Sequence, residues 1–511
     1  MNQPAAPVRR ITGARLLGPD LSRQAPLVDV TIADGHVVAV EPAGTSRRTA
    51  VGVSAGTTAV GTPAADAAQL PADGAWLMPG LWDAHVHPTD WAAARHRLDL
   101  SGCPDRSRVL AAVAARLAAE PDIDELIGVG LRHAMWTRGT RDDLLDGAAG
   151  PVPTVLLSTD MHSAWFNSAA LSRYGLTAGA DGLVAENDWF TVMPQVGAAD
   201  QTTRDRWVIE AGQAAATLGV VGITDFDPGD SHDAWRRRVA AGFDAHRVQA
   251  SVWPDRLTTA IDAGLCTGDL LPGGGDLLTM GYLKVISDGS LNTRTAWCHE
   301  PFGHGEAGAP NLAASELRRL MARATAAGIS SAIHAIGDRA CTVALDSFAA
   351  TGARGRIEHA QLLTDADVAR MADLGVQASV QPGHLVADRD VVDLIWADRA
   401  ARAYRFADLH RAGVALALGS DAPVAPLDPW LAISAAVHRT DDDRPGWHAE
   451  QRLDLTTALH ASWGPVAQVR PGGPADLVLL DRHPDSLLGQ HPRPPQALAT
   501  VCAGRLTHLG W

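Results

Sequence analysis

Residues 79–90 read PGLWDAHVHPTD, and the two histidines near the centre, His85 and His87, decide how the rest is read. The stretch is short and apolar and opens on Pro-Gly, as a strand leaving a turn does. On a strand, positions i and i+2 face the same side, so both imidazoles share one face while Val86 packs on the other. Two neutral imidazoles placed that way suit Zn2+ or a similar first-row ion. A pair of hydrogen-bonded core histidines gives the same pattern, so His-x-His alone leaves both readings open.

Outward from this strand, short β-branched runs alternate with Ala/Leu/Arg-rich amphipathic stretches, the pattern of parallel βα units. The runs are GLWDAHVH, ELIGVGL, PTVLLSTD, GVVGITDF, RVQASVW, GYLKVISDG, ISSAIHAIG, GRIEHAQ, VQASVQP and VALALGSDAP. That is two more than an α/β fold of the (β/α)8 TIM-barrel type needs. ELIGVGL and PTVLLSTD are the surplus pair, because the chain between His87 and Gly222 is far longer than one crossover requires. An inserted subdomain over 90–205, after the first barrel strand, is therefore expected inside a barrel spanning 80–461. At the N-terminus, LVDVTIA and HVVAVE flank Asp34-Gly35, a hairpin turn pair. ADLVLLD at 475–481 and TVCAGRLTH at 500–508 read as strands too. Neither end is stable alone, so 1–79 and 462–511 are expected to build one small composite β-sandwich. Residues 42–75, rich in Ala, Gly, Thr, Ser and Pro without periodicity, read as a loop.

Four further polar residues fall at the ends of these runs: Lys284 in GYLKVI, His334 in SSAIHAIGD, His359 in RIEHAQ and Asp421 in ALALGSDAP. Barrel chemistry collects at the C-terminal ends of strands. With His85 and His87 they make six candidate metal ligands on five strands. Singly, each has an ordinary explanation: Lys284 pairing with Asp288, His334 with Asp338, His359 with Glu358, Asp421 capping a helix. Four such coincidences together are less economical than one metal centre.

Composition narrows the classes. A net charge of −15 argues against a nucleic-acid partner. No apolar run is long enough for a membrane span, and no secretory leader is evident at the N-terminus. Five scattered cysteines, none spaced as Cys-x-x-Cys, fit a reducing cytoplasm rather than a disulfide framework. Self-association into a homo-oligomer is left open.

The set HVHP, LKVISDGS, IHAIGDRA, RIEHAQ and GSDAPV resembles the amidohydrolase superfamily, and more closely amidohydrolase family 3, which includes N-substituted formamide deformylases. LMPGLWDAHVHP, STDMHSAWFNSAAL, GVVGITDFD and GGPADLVLLD extend the likeness almost from end to end. The resemblance implies that His85 and His87 bind the more buried of two ions and that His334 and His359 bind the second. It implies that Lys284, carboxylated by CO2, bridges them, and that Asp421 binds the first ion and shuttles the proton. Only a neutral amine has the lone pair that attacks CO2, and burial favours that form. The segment SLNTRTAWCHEPF after Lys284, with Asn292, Cys298 and His299, departs from the family pattern.

The implied activity is hydrolysis of a C–N bond in a small amide-like compound, such as an N-substituted formamide, cyclic amide or carbamate. A single-metal deaminase, a metal-dependent isomerase or decarboxylase, and a non-catalytic barrel scaffold are the alternatives. A deaminase would put a Glu shortly after the fifth-strand histidine, where this chain has Gly337 and Asp338. Asp338 and Glu358 are candidates to orient ligand imidazoles. His162, Asp288, Arg294, Gln381 and His384 are candidates for substrate contact.

Overall fold

The computed structural model describes residues 6–44, 68–133, 136, 140, 142–177, 181–302, 305–465, 468–489 and 492–510. Eight parallel strands follow one another in chain order around a barrel: Leu81–Val86, Val220–Asp225, Arg247–Val252, Leu278–Ile286, Ser331–Ala335, Gly355–His359, Gln377–Val380 and Leu416–Leu418. Hydrogen bonds from Asp421 N to His85 O (2.7 Å) and from His87 N to Ala422 O (3.0 Å) bring the last strand end back to the first.

The second and fifth strands are buried along their whole length, as expected where helices cover the outside and side chains fill the inside. The helix Ala314–Ala326 turns Leu317, Leu320, Met321 and Ala324 inward, a stripe at helical spacing. One glycine is fixed by packing: a Cβ on Gly222 would come within 2.1 Å of the Trp82 ring, which lies across it from the neighbouring strand.

The two chain ends meet. Arg505–Leu509, Ala497–Cys502, Leu477–Leu480, Trp76–Pro79, Val8–Leu16, Leu27–Ala33 and His36–Pro42 are hydrogen-bonded in that order. Where a sandwich was expected, the pairing joins all of them in one sheet, branched at Val8–Leu16. Asp34-Gly35 makes the hairpin turn, with both residues at positive φ, 49° and 74°. The expected loop over 42–75 needs correction. Residues 45–67 lie outside the described residues, but Ala68–Pro71 is a strand, parallel to Val8–Leu16. Four residues ending in proline carry too little periodicity to show this in the sequence.

Between the helices Pro88–Ala94 and Gln201–Ala216 lies a separate five-stranded sheet, ordered Leu183–Ala185, Ser163–Phe166, Thr154–Ser158, Leu126–Leu131, Leu98–Asp99. PTVLLSTD thus gives its central strand and ELIGVGL the parallel strand beside it. Two apolar clusters, around Trp189 and Phe166 and around Trp165 and Val113, serve as its own core.

Candidate active site

The barrel strand ends converge on one carboxylate. Asp421 Oδ1 lies 3.4 Å from His85 Nε2 and 3.3 Å from His87 Nε2, and its Oδ2 lies 3.7 Å from His384 Nε2. The His359 ring stacks on His384, with centroids 5.9 Å apart, and meets His334 edge-on at 4.6 Å. Left-handed backbone at Asp421 (φ 57°) and His359 (φ 72°) turns both side chains in at the ends of their strands. That conformation persists only where the surroundings enforce it.

Donor atoms of His85, His87 and Asp421 lie within 4.8 Å of one another, and so do those of His359, His384 and Asp421. The donor set fits divalent first-row ions on three counts. Each group offers imidazole nitrogen and carboxylate oxygen. His359 Nδ1 and His384 Nε2 are buried with no hydrogen-bond partner among the described residues. Burial, reinforced by Lys284, pushes the His85 imidazole down to about 4, and burial holds His334 and His359 well below the usual histidine range, so these rings keep a free lone pair. Burial favours a neutral Asp421, but the imidazoles that face it, His87 with a hydrogen bond among them, outweigh burial and hold its carboxyl well below the usual carboxylate range.

Lys284 points into the same cluster. Its Nζ is 3.3 Å from His85 Nε2 and 4.3 Å above the centre of the Phe226 ring. Burial lowers its amine to about 8. His334 also lines the site, with Nε2 3.2 Å from Gly289 O and 3.5 Å from Asp288 Oδ1. The six residues singled out in the sequence therefore come together, and His384, read there as a substrate contact, joins the donor set.

A second tier fixes the first. Glu358 Oε2 accepts from His85 Nδ1 at 2.8 Å, and Glu358 Oε1 pairs with Arg356 Nε at 2.5 Å. Burial alone would raise this carboxyl, yet Arg356 and His85 hold it down to about 2. Glu358 thus orients His85 rather than its neighbour His359. Gln381 lies beneath, 3.4 Å from His85 Nδ1, and donates to Ser379 O. Asp83, which sequence reading missed, accepts from His85 N (3.1 Å) and Ser420 N (2.9 Å), pinning the first strand to the last. Asp338 touches no candidate ligand; it accepts from His299 N and Arg402. Asp288 is wholly buried and accepts the backbone N–H groups of Trp297, Ile336 and Gly337, so it shapes the loop rather than the cavity wall. Arg294, in a turn at φ 59°, is exposed and outside the cavity lining.

Above the cluster opens a cavity of about 920 Å³. The strand ends form its floor. The inserted sheet and its helices supply Met161, His162, Phe190 and Met193, and Trp207 and Trp253 complete an apolar wall. Of these, only His162 was singled out in the sequence; Met161, Phe190, Met193, Trp207 and Trp253 carry no positional signal there, where tryptophan is merely frequent at 15 residues.

Fold and site together define an α/β-barrel protein with a candidate metal-binding site at its strand ends. The profile described as "Amidohydrolase family" matches residues 71–508, and the chain belongs to that family of hydrolases. It is similar to Protein LONG AFTER FAR-RED 3 of Arabidopsis thaliana, 27% identical over 458 residues, covering 80% of this chain and 78% of that protein. It is also similar to N-substituted formamide deformylase of Arthrobacter pascens, 26% identical over 495 residues, covering 88% and 91%. The crystal structure of an uncharacterized metal-dependent hydrolase from Pyrococcus horikoshii OT3 shares the fold, with a TM-score of 0.75 at 24% identity, covering 93% of this chain and 98% of that one. No helix among the described residues is long and apolar enough to cross a membrane.

Proposed function

We propose that the protein hydrolyses the C–N bond of a small amide-like substrate, with N-substituted formamides, cyclic amides and carbamates as the leading classes. The observation that carries this reading is Asp421 shared by two imidazole groups, all facing one cavity. His85, His87 and Asp421 would hold one zinc or similar ion; His359 with His384 or His334 would hold a second. When bound, such ions acidify a water and polarise a carbonyl.

The chain's own groups do the rest. Asp421, held anionic, takes the proton from the attacking water on a carboxylate oxygen and returns it to the departing nitrogen. Glu358 fixes the His85 ring, so its Nε2 stays turned to the centre. Lys284 forms no salt bridge among the described residues, which suits an amine that, once deprotonated, adds to CO2 to give an anionic carbamate and releases one proton to solvent. The apolar wall accepts the hydrophobic part of the substrate and keeps bulk water from the reacting bond.

The test is to express the protein in zinc-supplemented medium, remove metal by dialysis against a chelator, and assay amides, formamides and carbamates before and after. Hydrolysis that disappears with the metal and returns with zinc supports the proposal. Turnover that survives complete metal removal would sink it.

A further inference from the structure

His162 stands in the turn between the strands Thr154–Ser158 and Ser163–Phe166 of the inserted sheet, outside the barrel, yet lines the same cavity as Asp421. Its Nδ1 lies 3.3 Å from Glu186 Oε2, and its Nε2 has no hydrogen-bond partner among the described residues. The imidazole meets the Phe190 ring edge to face, with centroids 5.3 Å apart. Such a contact limits the ring's rotation.

This placement is built from both sides. Glu186 Oε1 accepts from Thr295 Oγ1 at 2.9 Å, on the loop that follows the fourth barrel strand. Asp160 accepts from His162 N (3.1 Å) and from Ser290 Oγ (2.8 Å) on that same loop. Met161 (φ 62°) and Glu186 (φ 52°) adopt left-handed backbone, uncommon for side chains of their size. Glu186 N donating to His162 O and Trp189 Nε1 donating to Met161 O hold that geometry. Two segments in unfavourable conformations, each tied across to the barrel, serve to present one imidazole.

We propose that His162, held by Glu186, donates a hydrogen bond from Nε2 to an anionic oxygen of the substrate, so that the insertion supplies binding machinery as well as cover. The inference rests on the hydrolytic reading of the cavity. Burial opposes a charged ring, but the hydrogen bond to Glu186 and the nearby Asp160 carboxylate favour the proton and raise its proton affinity. Glu186, engaged by His162, Thr293 and Thr295, is held anionic despite its partial burial. On the opposing side, His334 and Asp288 are the other titratable groups that feel His162. With Nδ1 turned to Glu186, Nε2 is the one ring nitrogen of His162 left to face the cavity, and protonation of the ring makes it a donor. The anionic oxygen has two candidate sources: the charge that develops on the attacked carbonyl, or a fixed carboxylate elsewhere on the substrate.

Calorimetric titration of the zinc-loaded full-length protein separates them without needing turnover. The probes are benzylphosphonate, whose tetrahedral oxygens mimic the developing charge, and the matched pair N-benzylacetamide and 4-(acetamidomethyl)benzoate. His162→Gln and His162→Phe are expected to keep wild-type zinc content and to raise Kd for an anionic probe about tenfold, the scale of one charge-assisted hydrogen bond. Weakening confined to benzylphosphonate assigns the carbonyl oxygen; weakening of the benzoate but not of N-benzylacetamide assigns a substrate carboxylate. Glu186→Gln should shift the pH dependence of that affinity to lower pH, with Glu186→Asp restoring part of it, which a merely structural role would not do. Affinities within twofold of wild type in both His162 variants, or a zinc-loaded wild type that binds none of the probes, overturn the inference. Loss of zinc binding in the wild type is a separate result and overturns the hydrolytic reading instead.

Discussion

Asp421 and Glu358 show how burial and pairing divide labour between two carboxylates that meet opposite nitrogens of the His85 ring. Asp421 faces the cavity and three imidazoles, so its charge is available to a proton; Glu358 is locked between Arg356 and His85. Asp421→Asn is expected to lower kcat by about 10²-fold or more, the range of a lost general base. Zinc content should fall much less, since the amide oxygen still offers a ligand atom. Turnover retained at a tenth of wild type would remove the proposed proton shuttle. Glu358→Gln should act on metal retention: zinc affinity falls about 10- to 100-fold as His85 loses its orienting partner. Leaving Arg356 buried and unpaired should also cost about 3–5 kcal/mol of stability. Both are read from zinc titration and urea unfolding. At this scale the sequence was informative where residue type and strand position coincide. His85, His87, Lys284, His334, His359 and Asp421 each sit at or near the C-terminal end of an apolar run, and the structure gathers them. Arg294 was misplaced because proximity in sequence to Lys284 says nothing of a left-handed turn that carries the guanidinium outward. His384 was seen only as a substrate contact because it sits in the first turn of the helix Pro382–Ile395, where no spacing links it to Asp421.

Among the elements, the closure of the barrel carries the site. Asp83 bonds the backbone of His85 and Ser420, so the strand bearing two candidate ligands and the segment bearing Asp421 are set in register by one side chain. The second strand must lie close against the first, and Gly222 permits it by leaving room for Trp82. Gly222→Ala is expected to destabilise by about 1–3 kcal/mol through overpacking, measured as a lower urea midpoint at unchanged slope. An unchanged midpoint would show that the strands can part without cost. Alternation and turn chemistry made these elements legible: the Asp34-Gly35 hairpin and the surplus strands of the insertion were both readable. The pairing of Ala68–Pro71 with Val8–Leu16 was not, because a four-residue parallel pairing depends on a partner far away in sequence.

For the molecule as a whole, the same burial that keeps imidazoles neutral makes it sensitive to acid. His246, buried away from the site against Phe243 and Trp235, is pushed down to about 4 by burial. An unfolded histidine titrates near about 6.5, so the unfolded chain takes up the proton first. The stability this ring contributes is complete above about 6.5 and is lost as pH falls towards about 4, by on the order of 3 kcal/mol. His246→Asn in metal-free protein should flatten that decline between those pH values in urea unfolding; an identical slope would contradict it. The insertion adds the other property of scale. It has its own sheet and core, yet through Asp160 and Glu186 it is bonded to the loop after the fourth strand, so the cavity is walled by two substructures acting as one.

The central claim is that ions bind where Asp421 joins the two imidazole groups, and elemental analysis of purified, zinc-supplemented protein tests it most directly. About two zinc ions per chain are expected, one for each donor group, falling to one or none in Lys284→Ala and in a His85→Ala, His87→Ala double variant that remains folded by circular dichroism. A folded wild-type protein holding no stoichiometric metal, or variants that keep the full complement, would contradict the account.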